Sequence, residues 1–469
     1  MLSQDNEIIF IGSGVSNLSC AIKLAKKYKK KITVLEAGNN EYDEVSKSYF
    51  DGETSGDKYV NLKDIRYRGF LGSLNKWYGW CRPVHGEQMH KWGFSKKDLE
   101  IYISEACNFF SISKIFNKKK VWDTYEVFEM KQADQKSVNK KIKEKINQLK
   151  NIEIIFNTQA YQIEKFDEKY EISLFFKNKK IKIKTKILVI GGGCFENSRI
   201  MLYSKLHSKN NFLSNHQFIG KKFYDHPQLE SGEFTANYDE FLNLFRIEKD
   251  YKFTSTNLIH LRNIDYIKKK YSLNHHLTLT FITHPEKLKN FIRLSVCKYP
   301  KLNDKITKSI NDNICLRGLL LSLTPSFENM SFIELSDTLD PNKINQIKLN
   351  YHWKNDEGII KTYEIITKKF LKDLVKNDLG RGYFMDYQKA VGGDNILGST
   401  YHPTGGTIIG KNENDGVVDH DLEVFKNKNL FIIGSSVFPP GNVINPTLTI
   451  TALSLRLADK INNILVNQK

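Results

Sequence analysis

The first residues of the chain, Glu7 to Glu36, leave few choices of fold. Ile8-Ile9-Phe10-Ile11 is a continuous apolar run, the pattern of a parallel strand buried on both faces. Gly12-Ser13-Gly14 follows, and then Leu18, Ala21, Ile22, Leu24 and Ala25 recur at helical spacing. A second apolar strand, Ile32 to Leu35, ends in the acidic Glu36. This is a β-α-β unit with a dinucleotide-binding order. Gly12 permits the tight turn, and Gly14, with Ser13 beside it, lets a pyrophosphate reach the backbone at the positive end of the helix. Glu36 stands where a carboxylate accepts hydrogen bonds from ribose hydroxyls. The third glycine of the fingerprint is replaced by Asn17, so helix and strand are expected to pack less closely. The unit by itself does not separate FAD from NAD.

Composition narrows the class. A chain of 469 residues, 40% hydrophobic and 12% aromatic, has room for a large core and two to three domains. No apolar run approaches the roughly 18 residues that span a bilayer, and the N-terminus lacks a basic-then-apolar signal. A cytoplasmic location without a membrane span is expected. The six cysteines are scattered, with no Cys-x-x-Cys and no clustered histidines, so neither a metal site nor a disulfide framework is expected. The net charge of +18 invites a nucleic-acid reading. The lysines, however, lie in alternating or loop patterns such as Lys180-Ile181-Lys182-Ile183-Lys184, without interleaved aromatics or a binding motif. They read as a solvated surface, and no nucleic-acid partner is expected.

Residues 96–149 read as helical and lysine-rich. A meander over Ile152–Phe156, Tyr161–Phe166, Tyr170–Phe176 and Ile181–Ile183 precedes the apolar strand Ile187–Ile190, which ends in Gly191-Gly192-Gly193. Between 231 and 394, strand-like runs (Leu277–Ile282, Gly318–Leu323, Ile347–Tyr351) and a helix over Gly358–Val375 suggest an α+β substrate domain. Near the C-terminus the glycine-rich loop Thr400-Tyr401-His402-Pro403-Thr404-Gly405-Gly406 precedes a buried strand, Leu430–Ile433, that ends at Gly434-Ser435-Ser436. The segment Asn445-Pro446-Thr447 then opens a helix, with proline near its start. Strand ends and helix starts of this kind are where open α/β sheets bind ligands.

Taken in order, these blocks resemble the glucose–methanol–choline (GMC) oxidoreductases, a family of FAD-dependent alcohol-oxidising enzymes. The similarity runs through Gly12-Ser13-Gly14 with Glu36, Leu71-Gly72-Ser73-Leu74-Asn75-Lys76-Trp77, Gly192 to Arg199, Ile219-Gly220 to Asp225-His226-Pro227, and the C-terminal segment from His402. It implies an α/β fold, a Rossmann-type FAD-binding domain (1–95, 150–230 and 395–469) with an inserted α+β substrate-binding domain (96–149 and 231–394). It implies FAD contacts at Gly12, Ser13, Gly14, Glu36, Gly72, Ser73, Asn75, Trp77, Gly192, Gly434, Ser435, Pro446 and Thr447. It also makes His402 the catalytic histidine and Asn445, 43 positions later, the second active-site residue.

The chemistry agrees with that assignment. An alcohol C–H carries no acidic proton, so oxidation sends a hydride to an electron sink, flavin N5 in this family. A base near neutrality must take the hydroxyl proton, and imidazole suits that task. Asn445 can hold the same oxygen. Lys76 stands where pyranose-oxidising relatives carry a flavin-linking histidine, so the FAD is expected to be non-covalent. Asn445, and Gly434 in place of an acidic residue, point toward the sugar-oxidising subgroup. The expected substrate is a polyol or sugar, and the basic surface admits an anionic or nucleotide-linked one; the electron acceptor is left open. His226 reads as structural, His85, His90, His275 and His276 as bystanders, and Arg199 as a helix-fixing residue. Two other readings stand beside this one: a non-redox lyase on the same flavin fold, and a basic binding module without catalysis.

Overall fold

The computed structural model describes residues 3–41, 44–177, 179–236, 238–245, 247, 258–263, 276–281, 305, 316–323, 331–354, 357–386, 388, 399–442 and 444–467. Cys297, Cys315, His275 and Ile282 lie outside the described residues.

The fold is α/β. The strands that matter for the site are β1 (Asp5–Ile11), β2 (Ile32–Leu35), β3 (Ile152–Ile155), β4 (Thr158–Phe166), β5 (Lys169–Phe176), β6 (Lys179–Ile190) and β7 (Leu430–Ile432). They form one sheet in the order β3-β2-β1-β6-β5-β4, with β7 also paired to β6. Pairing among β3, β2, β1, β6 and β7 is parallel, with Ile9 opposite Thr33 and Leu188, and Val189 opposite Phe431. This is the doubly wound arrangement expected of the N-terminal unit.

Two local expectations change. Ile181–Ile183 and Ile187–Ile190 are a single strand. Its first half, Lys179 to Thr185, pairs antiparallel with β5, where one face is wet and lysine alternates with isoleucine. Its second half lies between β1 and β7, buried on both faces, and becomes continuously apolar. β3 does not open the meander either. It sits parallel to β2, with Ile32 opposite Ile152, and a parallel partner requires a crossover. The helix Gln135–Gln148, which ends just before β3, fits that role.

Beside the sheet α1 (Val15–Lys27) packs on α6 (Thr447–Asn467), and α2 (Lys96–Phe110) packs on α6 in turn, with α3 (Gln135–Gln148) and α4 (Gly193–His207) as further helices of the chain. Leu18, Ile22 and Leu24 of α1 and Leu448, Leu453 and Leu457 of α6 are buried in one cluster with β1 and β6. Each such side chain contributes about 1.5–3 kcal/mol by leaving water. Lys23 of α1 joins the three helices through ion pairs to Glu105 of α2 (2.7 Å) and Asp459 of α6 (2.8 Å).

A second, antiparallel sheet orders Gly380–Phe384, Gln228–Ala236, Leu316–Leu323, His276–Phe281, Leu258–Asn263, Tyr125–Phe128 and Lys118–Val121. The helix α5 (Glu357–Lys376) sends Phe370 and Leu374 into the cluster on this sheet. The segment expected to be wholly helical, 96–149, thus contributes two strands of this sheet, because Tyr125, Val127 and Phe128 are buried when paired with Leu258–Asn263. A three-stranded sheet joins Glu53–Gly56 in parallel to Asn345–Tyr351, beside Phe332–Leu339. Beneath it, Glu196 bridges Arg66 and Arg199, and Arg199 also pairs with Asp340 at 3.3 Å. Arg199 therefore fixes α4, as its sequence position suggested. Among the described residues Cys20, Cys81, Cys107 and Cys194 are buried free thiols, and no group of side chains could hold a metal ion. No helix among them is long and apolar enough to cross a membrane.

Candidate active site

The carboxyl ends of β2, β1, β6 and β7 are stitched together by backbone bonds: Gly12 N to Leu35 O (2.7 Å), Gly191 N to Ile11 O (2.9 Å) and Ile433 N to Ile190 O (2.8 Å). Along this edge lie most of the residues expected to touch the cofactor. Gly12 has φ +98°, and a Cβ there would stand 2.8 Å from Gly191 O, so both conformation and space require glycine. Gly14 differs: a Cβ would meet only Gly191 O, at 3.9 Å. No described residue fills that space, and α1 starts there without a side-chain cap, which is the form of an anion cradle.

Glu36 is buried and holds the turn. Its Oε2 accepts from Ser13 N (2.9 Å) and Ser13 Oγ (2.6 Å), and its Oε1 accepts from Gly38 N (2.8 Å). Oε1, with one donor, keeps lone-pair capacity for a hydroxyl. Asn17 overturns the expectation of loose packing. It is fully buried, and its amide donates to Ile11 O (2.6 Å) and Gly12 O (2.7 Å). Gly191 makes room for it, since a Cβ there would sit 2.4 Å from Asn17 Oδ1. The missing glycine of one segment reappears on the facing strand.

The second block leans on the first. Leu71 N donates to Ser13 O (3.1 Å), and the ideal Cβ of Gly72 lies 3.3 Å from Gly14 Cα. Asn75 fastens its own turn by donating to Phe70 O (2.8 Å) and Gly72 O (2.9 Å). Ser73 is exposed, and the half-buried Trp77 packs on Phe110 with no partner for its indole N–H. Lys76 donates to Asp64 O at 2.6 Å. A surface cavity of about 510 Å³ behind this block, lined by Phe70, Ile146, Ile154, Phe156, Lys143 and Lys150 among others, contains none of the expected site residues.

At the other end of the edge, Asn197 does work that its sequence gave no sign of. Its Oδ1 accepts from Gly192 N (2.8 Å), and its Nδ2 donates to Ile433 O (2.9 Å) and Ser436 Oγ (2.8 Å), locking the ends of β6 and β7 together. Gly434 has φ +116°, and a Cβ there would meet only Asn197 Nδ2 at 3.7 Å, again leaving open space. Ser435 Oγ donates to Pro403 O (2.7 Å), and Gly405 N to Ser435 O (3.1 Å). These bonds draw the His402 loop onto the sheet edge. Pro446 and Thr447 begin α6 beside it.

His402 and Asn445, remote in sequence, meet: Asn445 Nδ2 lies 3.3 Å from His402 Nε2. On the other side of the ring, His402 Nδ1 lies 3.2 Å from Thr400 Oγ1. Burial pushes the His402 imidazole below its usual pKa, opposed by the negative field of Asp225. Asp225 is itself 1% exposed. Its Oδ2 accepts from Tyr59 Oη (2.8 Å) and Ser399 Oγ (2.6 Å), and its Oδ1 from the backbone N–H groups of His226 (2.7 Å), Thr400 (3.3 Å) and His402 (3.3 Å). The ring of His226 sits 5.3 Å from that of His402, fully buried, with no protein partner on either nitrogen. Burial holds it well below the usual histidine range. Asp225, Thr400 and Asn197 were not singled out from sequence. The Asp-His-Pro landmark and the residues flanking His402 were visible, but nothing local pairs position 225 with 400.

Residues 328–454 match the family model for GMC oxidoreductases. A fructose dehydrogenase large subunit from Gluconobacter japonicus is 41% identical over 90 residues, which is 18% of this chain and 16% of the relative. The chain thus spans about a sixth of that curated relative's length. Among solved structures, a formate oxidase of Aspergillus oryzae superposes with a TM-score of 0.58 at 13% identity, covering 100% of both chains. A pyridoxine 4-oxidase from Mesorbium loti gives 0.59 at 12% identity, covering 97% of this chain and 99% of the other. At these identities the two structures speak for a shared fold along the chain.

Proposed function

We propose that this chain, a GMC oxidoreductase by its C-terminal region, binds FAD and oxidises a CH–OH group of a sugar or polyol, with His402 as the base. The observation that supports this most is the meeting of His402 Nε2 and Asn445 Nδ2 at 3.3 Å, beside a strand edge with open glycine positions at Gly14 and Gly434. Those glycines, the uncapped start of α1 and the Glu36 carboxylate fit the pyrophosphate and ribose of a dinucleotide. When bound, FAD supplies the acceptor for a hydride.

The chain's own residues do the rest. With Asn445 Nδ2 pointing at Nε2, that nitrogen is the acceptor of the ring, and it takes the hydroxyl proton as the alcohol is oxidised. The Asn445 amide, released to the substrate oxygen, orients the C–H bond and steadies the oxygen as it gains negative charge. A lowered pKa keeps His402 neutral, hence competent, into mildly acidic solution. The backbone N–H groups that open α6 after Pro446 offer further stabilisation to an anion. The fructose dehydrogenase relative, together with Asn445 at the second position, favours a sugar over a simple alcohol.

Purified protein should be yellow, with flavin released into solution when the protein is precipitated by acid, as a non-covalent cofactor requires. Anaerobic addition of polyols and sugars should bleach it. His402→Ala should keep the flavin and slow bleaching by about a hundredfold or more, the range for loss of a general base. Bleaching at the normal rate in that variant would remove His402 from its role.

A further inference from the structure

We propose that Asp225, acting through the Thr400 hydroxyl, is the positioning group that sets the tautomer of His402 and stabilises its imidazolium. The inference rests on the reading of His402 as the base and adds the residues that make it one.

Asp225 is a buried carboxylate, and no lysine or arginine among the described residues pairs with it. Buried anions normally sit beside a cation or lose their charge, because removal from water costs several kcal/mol. Asp225 is instead held by hydroxyl and backbone donors from Tyr59, Ser399, His226, Thr400 and His402. Among the described residues, the cation that can arise opposite it is the protonated ring of His402.

Thr400 supplies the connection. Its Oγ1 lies 3.4 Å from Asp225 Oδ1 and 3.2 Å from His402 Nδ1. A hydroxyl has one proton to give. If that proton goes to the carboxylate, the hydroxyl oxygen accepts from Nδ1–H, and Nε2 is left bare on the side of Asn445. The opposite arrangement would set Nε2–H against the amide N–H groups of Asn445. The chain Nδ1–H to Oγ1–H to Oδ1 therefore places the lone pair where a substrate hydroxyl would stand. This follows the general logic by which a carboxylate orients a catalytic imidazole, with a threonine interposed. During the reaction the substrate O–H bond breaks and an Nε2–H bond forms. The Asp225 side chain then faces a positive neighbour, linked to it through Thr400.

The groups around the ring do not supply an alternative. His226, packed 5.3 Å away, is kept neutral by burial. Tyr59, Tyr224, Tyr351 and Cys194 all lie in the field of Asp225 and are pushed up by burial, so they stay protonated. Asp225 is the anion that raises His402, against the desolvation that lowers it.

The test uses the flavin-loaded protein and reads the His402 ring by NMR titration, assigned with a His402→Gln variant. Thr400→Val keeps the shape and removes the hydroxyl; Thr400→Ser restores it; Asp225→Asn removes the charge. Thr400→Val should lower the His402 pKa, weaken its preference for Nδ1–H, slow anaerobic flavin reduction by about tenfold or more, and move the acid limb of that rate to lower pH. Thr400→Ser should titrate and react like the wild type. A purely structural role would change stability and leave both titration and acid limb in place. Thr400→Val with an unshifted His402 titration overturns the proposal, even should Asp225→Asn fail to fold. Shifted titrations in a protein whose flavin no alcohol reduces would sink the alcohol-oxidising function and leave the positioning role standing.

Discussion

Replacing Gly191 with alanine looks mild by sequence, since Gly191 is not one of the fingerprint glycines. The structure makes it severe. The new Cβ would stand 2.4 Å from Asn17 Oδ1, 2.5 Å from its Cγ and 2.6 Å from its Nδ2. Asn17 is fully buried and bound to two carbonyls, at 2.6 and 2.7 Å, so it must leave both to make room. Overpacking costs about 1–3 kcal/mol, and two hydrogen bonds at about 0.5–1.5 kcal/mol each bring the loss to roughly 2–6 kcal/mol. Asn17→Gly alone forfeits the same two bonds, offset in part by removing the unpartnered Oδ1, a net cost of about 1–2 kcal/mol. The double variant moves the side chain from helix to strand. Its clash is gone, so it should be more stable than Gly191→Ala alone, with a coupling of about 2 kcal/mol. Urea unfolding followed by flavin release measures all four proteins of the cycle. Additivity within about 0.5 kcal/mol would show that Asn17 and Gly191 do not compensate each other, and the account of the altered fingerprint would fall.

Two further outcomes follow from the buried charges. Glu196→Ala should destabilise the protein by about 3–5 kcal/mol, because it strands Arg66, whose side chain is 6% exposed, and leaves Arg199 with Asp340 as its remaining carboxylate; a shift in the urea midpoint below that of a typical surface variant would contradict it. Acidification should also destabilise the protein through His260, whose ring stacks on Phe128, meets Thr278 Oγ1 at 3.1 Å, and is lowered to about 4 by burial. The unfolded ring takes its proton near 6.5 and the folded ring does not, so this stability is complete above 6.5 and is lost as pH falls toward 4, up to about 3 kcal/mol. His260→Phe should flatten that part of the pH profile, and an equally steep decline in the variant would locate the acid sensitivity elsewhere.

The sequence determined the N-terminal β-α-β unit by itself, because that unit is written in local terms. A doubly buried strand must be apolar throughout, a turn with positive φ at Gly12 must be glycine, and a helix reveals its face every three or four residues. The glycine-ended strands at Gly192 and Gly434 and the loop at His402 were legible for the same reason. Pairing was not. Ile152–Ile155 has the same composition whether it joins a meander or lies beside β2, and only the α3 crossover decides. Tyr125–Phe128 became a strand because a partner from residues 258–263 was there to cover it. Asn17 looked like a defect until Gly191 was seen across from it. His402 and Asn445 could be named only through the resemblance of their segments to a known family. Their meeting at 3.3 Å, and the Asp225 carboxylate two hydrogen bonds behind the ring, depend on where three distant segments come to rest. Side-chain chemistry is carried by each residue alone, whereas hydrogen-bond geometry and burial belong to the packed whole.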